Sequence, residues 1–129
     1  MYGEILQAVK SLATTYAAPY TKIDLGAMPT ADGLSLYLGA GAEDWSYLDR
    51  GSVNTVSIAL NGKHSSQQTV VTALSAIHKA LTQLKSYPAG ADWSIINIKT
   101  VSAPNFIEQE SAQWLYGSIL DITFYVKGV

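Results

Sequence analysis

The sequence contains no cysteine and has little charge. Without cysteine the chain can form neither a disulfide nor a thiolate metal site, and it has no thiol nucleophile. Only 14% of its 129 residues are charged, and Arg50 is the single arginine. With 8 basic against 10 acidic residues, the chain lacks the dense positive patch that neutralises nucleic-acid phosphates. We therefore expect no direct nucleic-acid binding.

Long apolar runs are also missing. No window approaches the roughly 18 uninterrupted apolar residues of a membrane-spanning helix, so we expect no contact with a membrane. The composition nevertheless excludes disorder, because 48% of the residues are hydrophobic and the net charge is only −2. The length fits one domain of ordinary size. We expect residues 1–129 to form a single domain with its own core.

What the sequence does contain is clear hydrophobic periodicity. Apolar spacings of three and four residues are typical of one-faced helices, and strict alternation is typical of half-buried strands. The order of elements favours an α+β fold, with a mainly antiparallel β-sheet and two α-helices packed on one face. The predicted elements are helices at 2–16 and 66–85 and strands at 22–25, 34–38, 52–60, 93–101 and 114–127.

Several local details follow from the same patterns. Leu74, Ile77 and Leu81 form the apolar stripe of the second helix. Ser65 is the predicted N-cap of that helix, with Gln68 completing a capping box. The dipeptide at 61–62, Asn-Gly, is a strong turn signal and is read as the connection between strand and helix. The strand at 93–101 is apolar on both faces at its centre, which predicts a strand buried on both sides.

The sequence offers little that points to catalysis. His64 beside Ser65 invites a hydrolase interpretation with Asp92 or Asp121, but adjacent side chains at a helix start rarely face each other. His78 lies at the border of an apolar stripe, where we expect it to bond a backbone carbonyl. Two histidines without cysteine do not form a zinc site. We expect no catalytic residue, no metal and no cofactor, and a small hydrolase remains only a residual hypothesis.

Two segments predicted as loops, 39–51 and 104–113, carry large apolar residues where polar ones are usual. Such groups suggest a surface that another chain buries, although each loop could instead fold back and cover its own aromatic. A ring requires two different patches that meet across each joint, and Arg50 could pair there with an acid. The predicted subunit and partner interface comprises Trp45, Tyr47, Arg50, Phe106, Glu108 and Glu110.

Two stretches of the second half resemble a known family. SIALNGKHSSQQTVVTALSAIHKAL (57–81) and NFIEQESAQWLYGSILDITFYVKG (105–128) resemble the strand, turn, long helix and aromatic closing strand of tailed-bacteriophage neck proteins. The type in question is the minor-capsid or tail-terminator protein, and the first helix, ILQAVKSLATTY, also fits it. The resemblance spans most of the chain and consists of pattern and element order rather than a short motif.

The resemblance implies a structural role in a phage or prophage virion. It implies a homo-oligomeric ring, expected to be a hexamer, that caps the tail tube and joins it to the head, with no catalytic residue and no cofactor. The implied partners are other copies of the chain, the tail-tube protein and a head-completion protein. The implied location is the virion neck, after assembly in the cytoplasm of the bacterial host. The alternative from another class is a small-ligand or peptide-binding α+β module that uses the sheet face opposite the helices.

Overall fold

The computed structural model describes residues 2–26, 32–46, 51–110 and 112–127. Each predicted helix and strand is present, and most of the strands extend beyond their predicted bounds. In chain order the elements are α1 (Tyr2–Ala17), β1 (Ile23–Leu25), β2 (Gly33–Ser46), β3 (Ser52–His64), α2 (Gln67–Thr82), β4 (Trp93–Glu110) and β5 (Gln113–Val126).

The five strands form one sheet in the order β1-β2-β3-β5-β4. The pairs β2–β3, β3–β5 and β4–β5 are antiparallel, and only the short β1 pairs in parallel, with β2. Both helices contribute buried residues to the same hydrophobic core as the central strands. The predicted α+β class, with a mainly antiparallel sheet and two helices packed on one face, is therefore confirmed.

The core is built from the apolar stripes that the periodicity predicted. In α1 the buried residues are Ile5, Val9 and Ala13, each four positions after the last, as one helical face requires. Leu74, Ile77 and Leu81 of α2 are fully buried, as predicted. Alternate residues of the central strands meet them from the sheet. The fully buried strand residues are Leu34, Leu36, Ile58, Leu60, Leu120, Ile122 and Phe124.

The Asn-Gly pair at 61–62 is not a turn, and that prediction was wrong. Both residues lie inside β3, where Asn61 pairs with Gly117 and Gly62 pairs with Tyr116. The glycine serves a close approach between layers instead, since a Cβ at Gly62 would lie only 2.6 Å from Cγ2 of Val70 on α2. The strand therefore continues to His64 before the chain turns into the helix.

The helix cap also lies one residue later than predicted. Ser66, not Ser65, is the N-cap of α2, and its hydroxyl accepts a hydrogen bond from the Thr69 backbone N–H at 3.4 Å. The His64 Nδ1 accepts the Ser66 backbone N–H at 2.8 Å, which fixes the entry into the helix. Ser65 is exposed. Because β3 extends to His64, the first position free to cap the helix is shifted.

The strand predicted to be buried on both sides, β4, is an edge strand. A register shift between Ile95 and Asn97 places Ile96 in a bulge, where it is 50% exposed. After the shift Ile98 faces the core, so Ile95 and Ile98 are both buried at a spacing of three. The run of apolar residues at the centre of this strand therefore results from a bulge, and not from burial of both faces of the strand.

The two segments predicted as loops are largely strand, and this expectation was wrong as well. Residues 39–46 continue β2, and residues 102–110 continue β4. Register shifts interrupt both strands, between Leu38 and Gly41 in β2 and between Thr100 and Ser102 in β4, among others. Each shift breaks the alternation of period two that identifies a strand in a sequence. The chain therefore forms two long β-hairpins where loops were expected.

Candidate functional site

The structure does not bring His64 and Ser65 together as a catalytic pair. His64 Nδ1 accepts the Ser66 N–H, and its Nε2 lies 3.6 Å from Oδ2 of Asp32. The imidazole also contacts the ring of Tyr20 edge-on, with the ring centroids 4.9 Å apart. The hydroxyl of Ser65 is exposed. His64 therefore joins the end of β3 to the start of α2.

Tyr20 belongs to the same junction. Its hydroxyl lies 2.9 Å from the carbonyl oxygens of both Gly33 and Lys63 and donates to them. Burial raises the pKa of Tyr20 to about 12, against the opposing effect of the bond to Lys63, so the phenol remains a protonated donor at neutral pH. Tyr20 thereby fastens the segment after α1 to the end of the sheet.

His78 is buried on α2, facing the sheet. Its Nδ1 lies 2.8 Å from the Thr100 hydroxyl of β4, so its partner is a side chain and not the backbone carbonyl that was expected. Its Nε2 has no hydrogen-bond partner in the described part of the chain. Burial lowers the pKa of His78, which favours the neutral imidazole. The histidine is therefore part of the interface between helix and sheet.

The described residues offer neither a metal-binding cluster nor a membrane-spanning helix. They contain no group of three or more histidine, aspartate or glutamate side chains that could hold a metal ion. Within the same ranges, neither helix is both long enough and apolar enough to cross a membrane.

The predicted interface residues that the structure describes form two groups at opposite ends of the sheet. β3 runs the whole distance between them, since Ser52 pairs with Ser46 at one end and His64 pairs with Trp114 at the other. Thirteen residues of strand at about 3.3 Å each separate the ends by roughly 40 Å. Within one chain the two groups cannot touch. We name the segments 43–51 and 106–113 the first and second hairpin ends.

The first hairpin end carries Trp45, Tyr47 and Arg50. Trp45 lies in β2 as the register partner of Val53 on β3. Tyr47 and Arg50 lie outside the described residues. Val53 is buried although it does not belong to the core beneath the helices. Other residues at this end of the sheet therefore cover it.

The second hairpin end carries Phe106, Glu108 and Glu110. Phe106 packs edge-to-face against Trp114 and Tyr116, with ring centroids 5.9 and 5.8 Å apart. It nevertheless remains 52% exposed, so its neighbours cover only about half of the ring. Glu108 is exposed, and Glu110 is the last residue of β4. The end thus presents an aromatic side chain beside acidic residues.

The sheet face opposite the helices, which we call the open face, has a polar centre and an apolar margin. At the centre the Ser57 hydroxyl donates to Oδ1 of Asp121 at 2.8 Å. Two residues along each strand, the hydroxyls of Thr55 and Thr123 lie 3.3 Å apart. Toward the second hairpin end lies a depression of about 240 Å³. Its exposed apolar members are Tyr37, Ile107 and Ile119.

Sequence reasoning missed Tyr37 and Ile119 as surface residues. Both occupy ordinary strand positions, and alternation alone places them on the face opposite Leu36 and Leu120. The period-two alternation of each strand is therefore a sufficient signal for both residues. Ile107 belongs to the segment whose apolar residues already suggested a partner surface, and the structure places it in β4 beside Gly117 of the open face.

A second concave surface lies between the helices, on the side away from the sheet. One part of it, about 400 Å³ in volume, is bordered by Tyr16 of α1 and by Lys79 and Leu84 of the α2 region. It continues into a second depression of similar volume near Tyr20 and Thr69, and Ala17 and Ala76 line both. We call the two together the interhelical groove. Tyr16 is 61% exposed at its rim.

Comparisons with known proteins agree on the fold only. No family model matches the chain, and no curated protein matches it. Among solved structures, the chain is similar to a protein chain of the "Virion of native gene transfer agent (GTA) particle". The identity is 14%, the match covers 96% of each chain, and the TM-score is 0.64. At that identity the similarity establishes a shared fold over nearly the whole length.

Proposed function

We propose that the chain is a structural component of a phage-like virion and has no enzymatic activity. In its finer form the proposal is a neck protein of the minor-capsid or tail-terminator type. Copies form a ring, expected to contain six, that caps the tail tube and joins it to the head. Its partners are other copies, the tail-tube protein and a head-completion protein.

The observation that carries the proposal is the similarity in fold to a gene transfer agent virion chain over 96% of both lengths. The sequence resemblance to phage neck proteins points independently in the same direction. The histidines support it too, since both serve the packing of helix against sheet.

The β4 edge favours assembly through side-chain surfaces rather than through an added strand. β4 carries four register shifts and contains Pro104, which has no N–H to offer a neighbouring strand. Its first residues are already bonded to the segment at 88–90, where the Gly90 N–H donates to the Trp93 carbonyl at 2.8 Å. At the other edge β1 covers only residues 34–36 of β2, so among the described residues 37–46 have no strand on that side. Away from the β4 edge, the two hairpin ends are the foremost candidates for contact surfaces.

Growth of tail tubes tests the function directly. Tail-tube protein from the same particle should polymerise to limited length when the chain is present, and one end of each tube should carry added density in electron micrographs. The physical reason is that a ring seated on the growing end blocks the next layer. Tubes that lengthen unchanged, with two bare ends, would overturn the neck assignment.

Substitutions at the hairpin ends test the predicted interface. Trp45→Ala should weaken assembly by about 2 kcal/mol or more, since buried aromatics contribute most to interfaces. Phe106→Ala should act in the same direction, because half of its ring is uncovered. Ile96→Ala is the matched control, as Ile96 is equally exposed but lies ten residues before Phe106 on β4, which two strands separate from β2. Equal assembly of all three variants would contradict this interface.

The depression on the open face favours a second candidate function, the binding of a small ligand or peptide. Apolar side chains there stand beside the amides of Asn61 and Asn105, a combination typical of ligand sites. Its volume of about 240 Å³ lies just below the usual range. A thermal-shift screen with metabolites and short peptides decides between the two, and Ile119→Glu should abolish any shift that comes from this site.

A further inference from the structure

Charge is distributed unevenly over the surface of the molecule. The two helices together contain one acid, Glu4, and its carboxylate accepts the indole N–H of Trp93 at 2.6 Å. The helical layer otherwise carries lysines, at positions 10 and 79, with a third at 85 just after α2. None of the three lies within 4 Å of a carboxylate in the described part of the chain. The groove side is therefore positive.

Both hairpin ends are negative in sequence. Residues 106–113 contain Glu108 and Glu110 and no basic residue, while residues 43–51 contain three acids against Arg50. Direct contact between the two ends of neighbouring copies would bring like charges together, which disfavours such a joint. The second end therefore needs a receptor of opposite charge.

We propose that the interhelical groove of one copy receives the second hairpin end of the next copy. This inference rests on the proposed self-assembly and names the surface that completes it. The groove offers the exposed ring of Tyr16 and the edge of Leu84 to the half-covered Phe106. Lys79, at the same rim, is placed to pair with Glu108. Apolar contact and charge thus agree on one occupant.

The contact is heterologous, because the donor and the receptor are different surfaces of the same chain. Such contacts repeat around a closed ring when the rotation closes, as the proposed neck role requires. The first hairpin end, with Trp45, then contributes to assembly through a separate contact with another virion protein.

Disulfide trapping tests the contact, and the absence of native cysteine leaves the background clean. Gln83→Cys labels the groove, and Gln109→Cys labels the hairpin end. With one variant tagged, oxidation of the mixture should link unlike chains, whereas each variant alone should stay unlinked. Ser94→Cys replaces Gln109→Cys as the control, because it lies on the same strand at the far end. Absent linkage in the mixture, or equal linkage with Ser94→Cys, would overturn the proposal.

Charge exchange gives a second, independent test. Lys79→Glu and Glu108→Lys should each weaken self-association by about tenfold or more, and the double variant should recover most of that loss. Lys99→Glu makes the same charge change on the open face and should leave association unchanged. If Lys79→Glu has no effect, or if the double variant shows no recovery, the groove is not the receptor.

The neck role and the groove contact can be refuted separately. Copies that link through the groove but leave tube growth unaltered would refute the neck role and keep this contact. Copies that cap tubes while Lys79→Glu is silent would refute the contact and keep the neck role. A chain that stays monomeric, both alone and with tube ends, would refute both.

Discussion

Alternate residues of β3 have two different surroundings. Ile58 and Leu60 are fully buried beneath the helices, while Ser57 and Asn61, on either side of this pair, lie on the open face and bond neighbouring side chains. One face thus holds the hydrophobic core, and the other holds a polar ladder with an apolar margin. We therefore expect substitutions on the helix-covered face to cost more stability than substitutions on the open face.

The largest difference is expected between a leucine of the covered face and an isoleucine of the open face. Leu81→Ala should cost about 2–5 kcal/mol of unfolding free energy, because it removes a fully buried side chain and leaves a cavity. Ile119→Ala should cost under about 1 kcal/mol, since Ile119 is already 38% exposed. Urea unfolding measures both. Similar losses in the two variants would erase the distinction between the faces.

Two glycines sharpen the same comparison. A Cβ at Gly62 would press on Cγ2 of Val70 at 2.6 Å, inside the packed layer, so Gly62→Ala should cost about 1–3 kcal/mol. A Cβ at Gly117 would meet the Cδ1 end of Ile107 at 2.7 Å, and that exposed side chain can move aside. Gly117→Ala should therefore cost clearly less. The reverse order in thermal unfolding would show that the open face is the more tightly packed one.

The helix cap gives a smaller effect. Ser66→Ala should cost about 1 kcal/mol, because it leaves the Thr69 N–H without its capping acceptor. The adjacent Ser65→Ala removes an exposed hydroxyl and should stay within about 0.5 kcal/mol of the parent. Denaturation of the pair of variants checks this, and a larger loss at Ser65 would restore the cap that the sequence suggested.

The smallest effect near neutral pH concerns His78. Its pKa is lowered in the folded chain, so on acidification below the ordinary value near 6.5 the unfolded chain takes up the proton first. Stability contributed by the neutral imidazole is therefore complete above that value and is lost as the pH falls toward the lowered pKa. His78→Gln should flatten this part of the pH dependence of unfolding. Parallel profiles for parent and variant would show that burial of His78 has no energetic consequence.

The sequence was sufficient for the covered face and insufficient for the open one. Helical stripes such as Leu74, Ile77 and Leu81 predicted the core because burial imposes one repeating spacing. The long strand ends escaped prediction because bulges, for example at Ile96 and near Phe106, break the period on which strand prediction depends. Partner surfaces carry no period of their own. The positions of Trp45 and Phe106 at opposite ends follow from strand pairing and could not be read from local pattern.

The proposed assembly of this chain into a closed ring is tested most directly by the mass of the purified protein. Native mass measurement over a range of concentrations should give one discrete assembled species, expected at six times the 13.8 kDa of the chain. The assembled species should be absent from the Lys79→Glu variant and present in the Lys99→Glu variant. A chain that stays monomeric at every concentration, both alone and with tube ends, or one that gives an open-ended series of growing masses, would contradict ring formation.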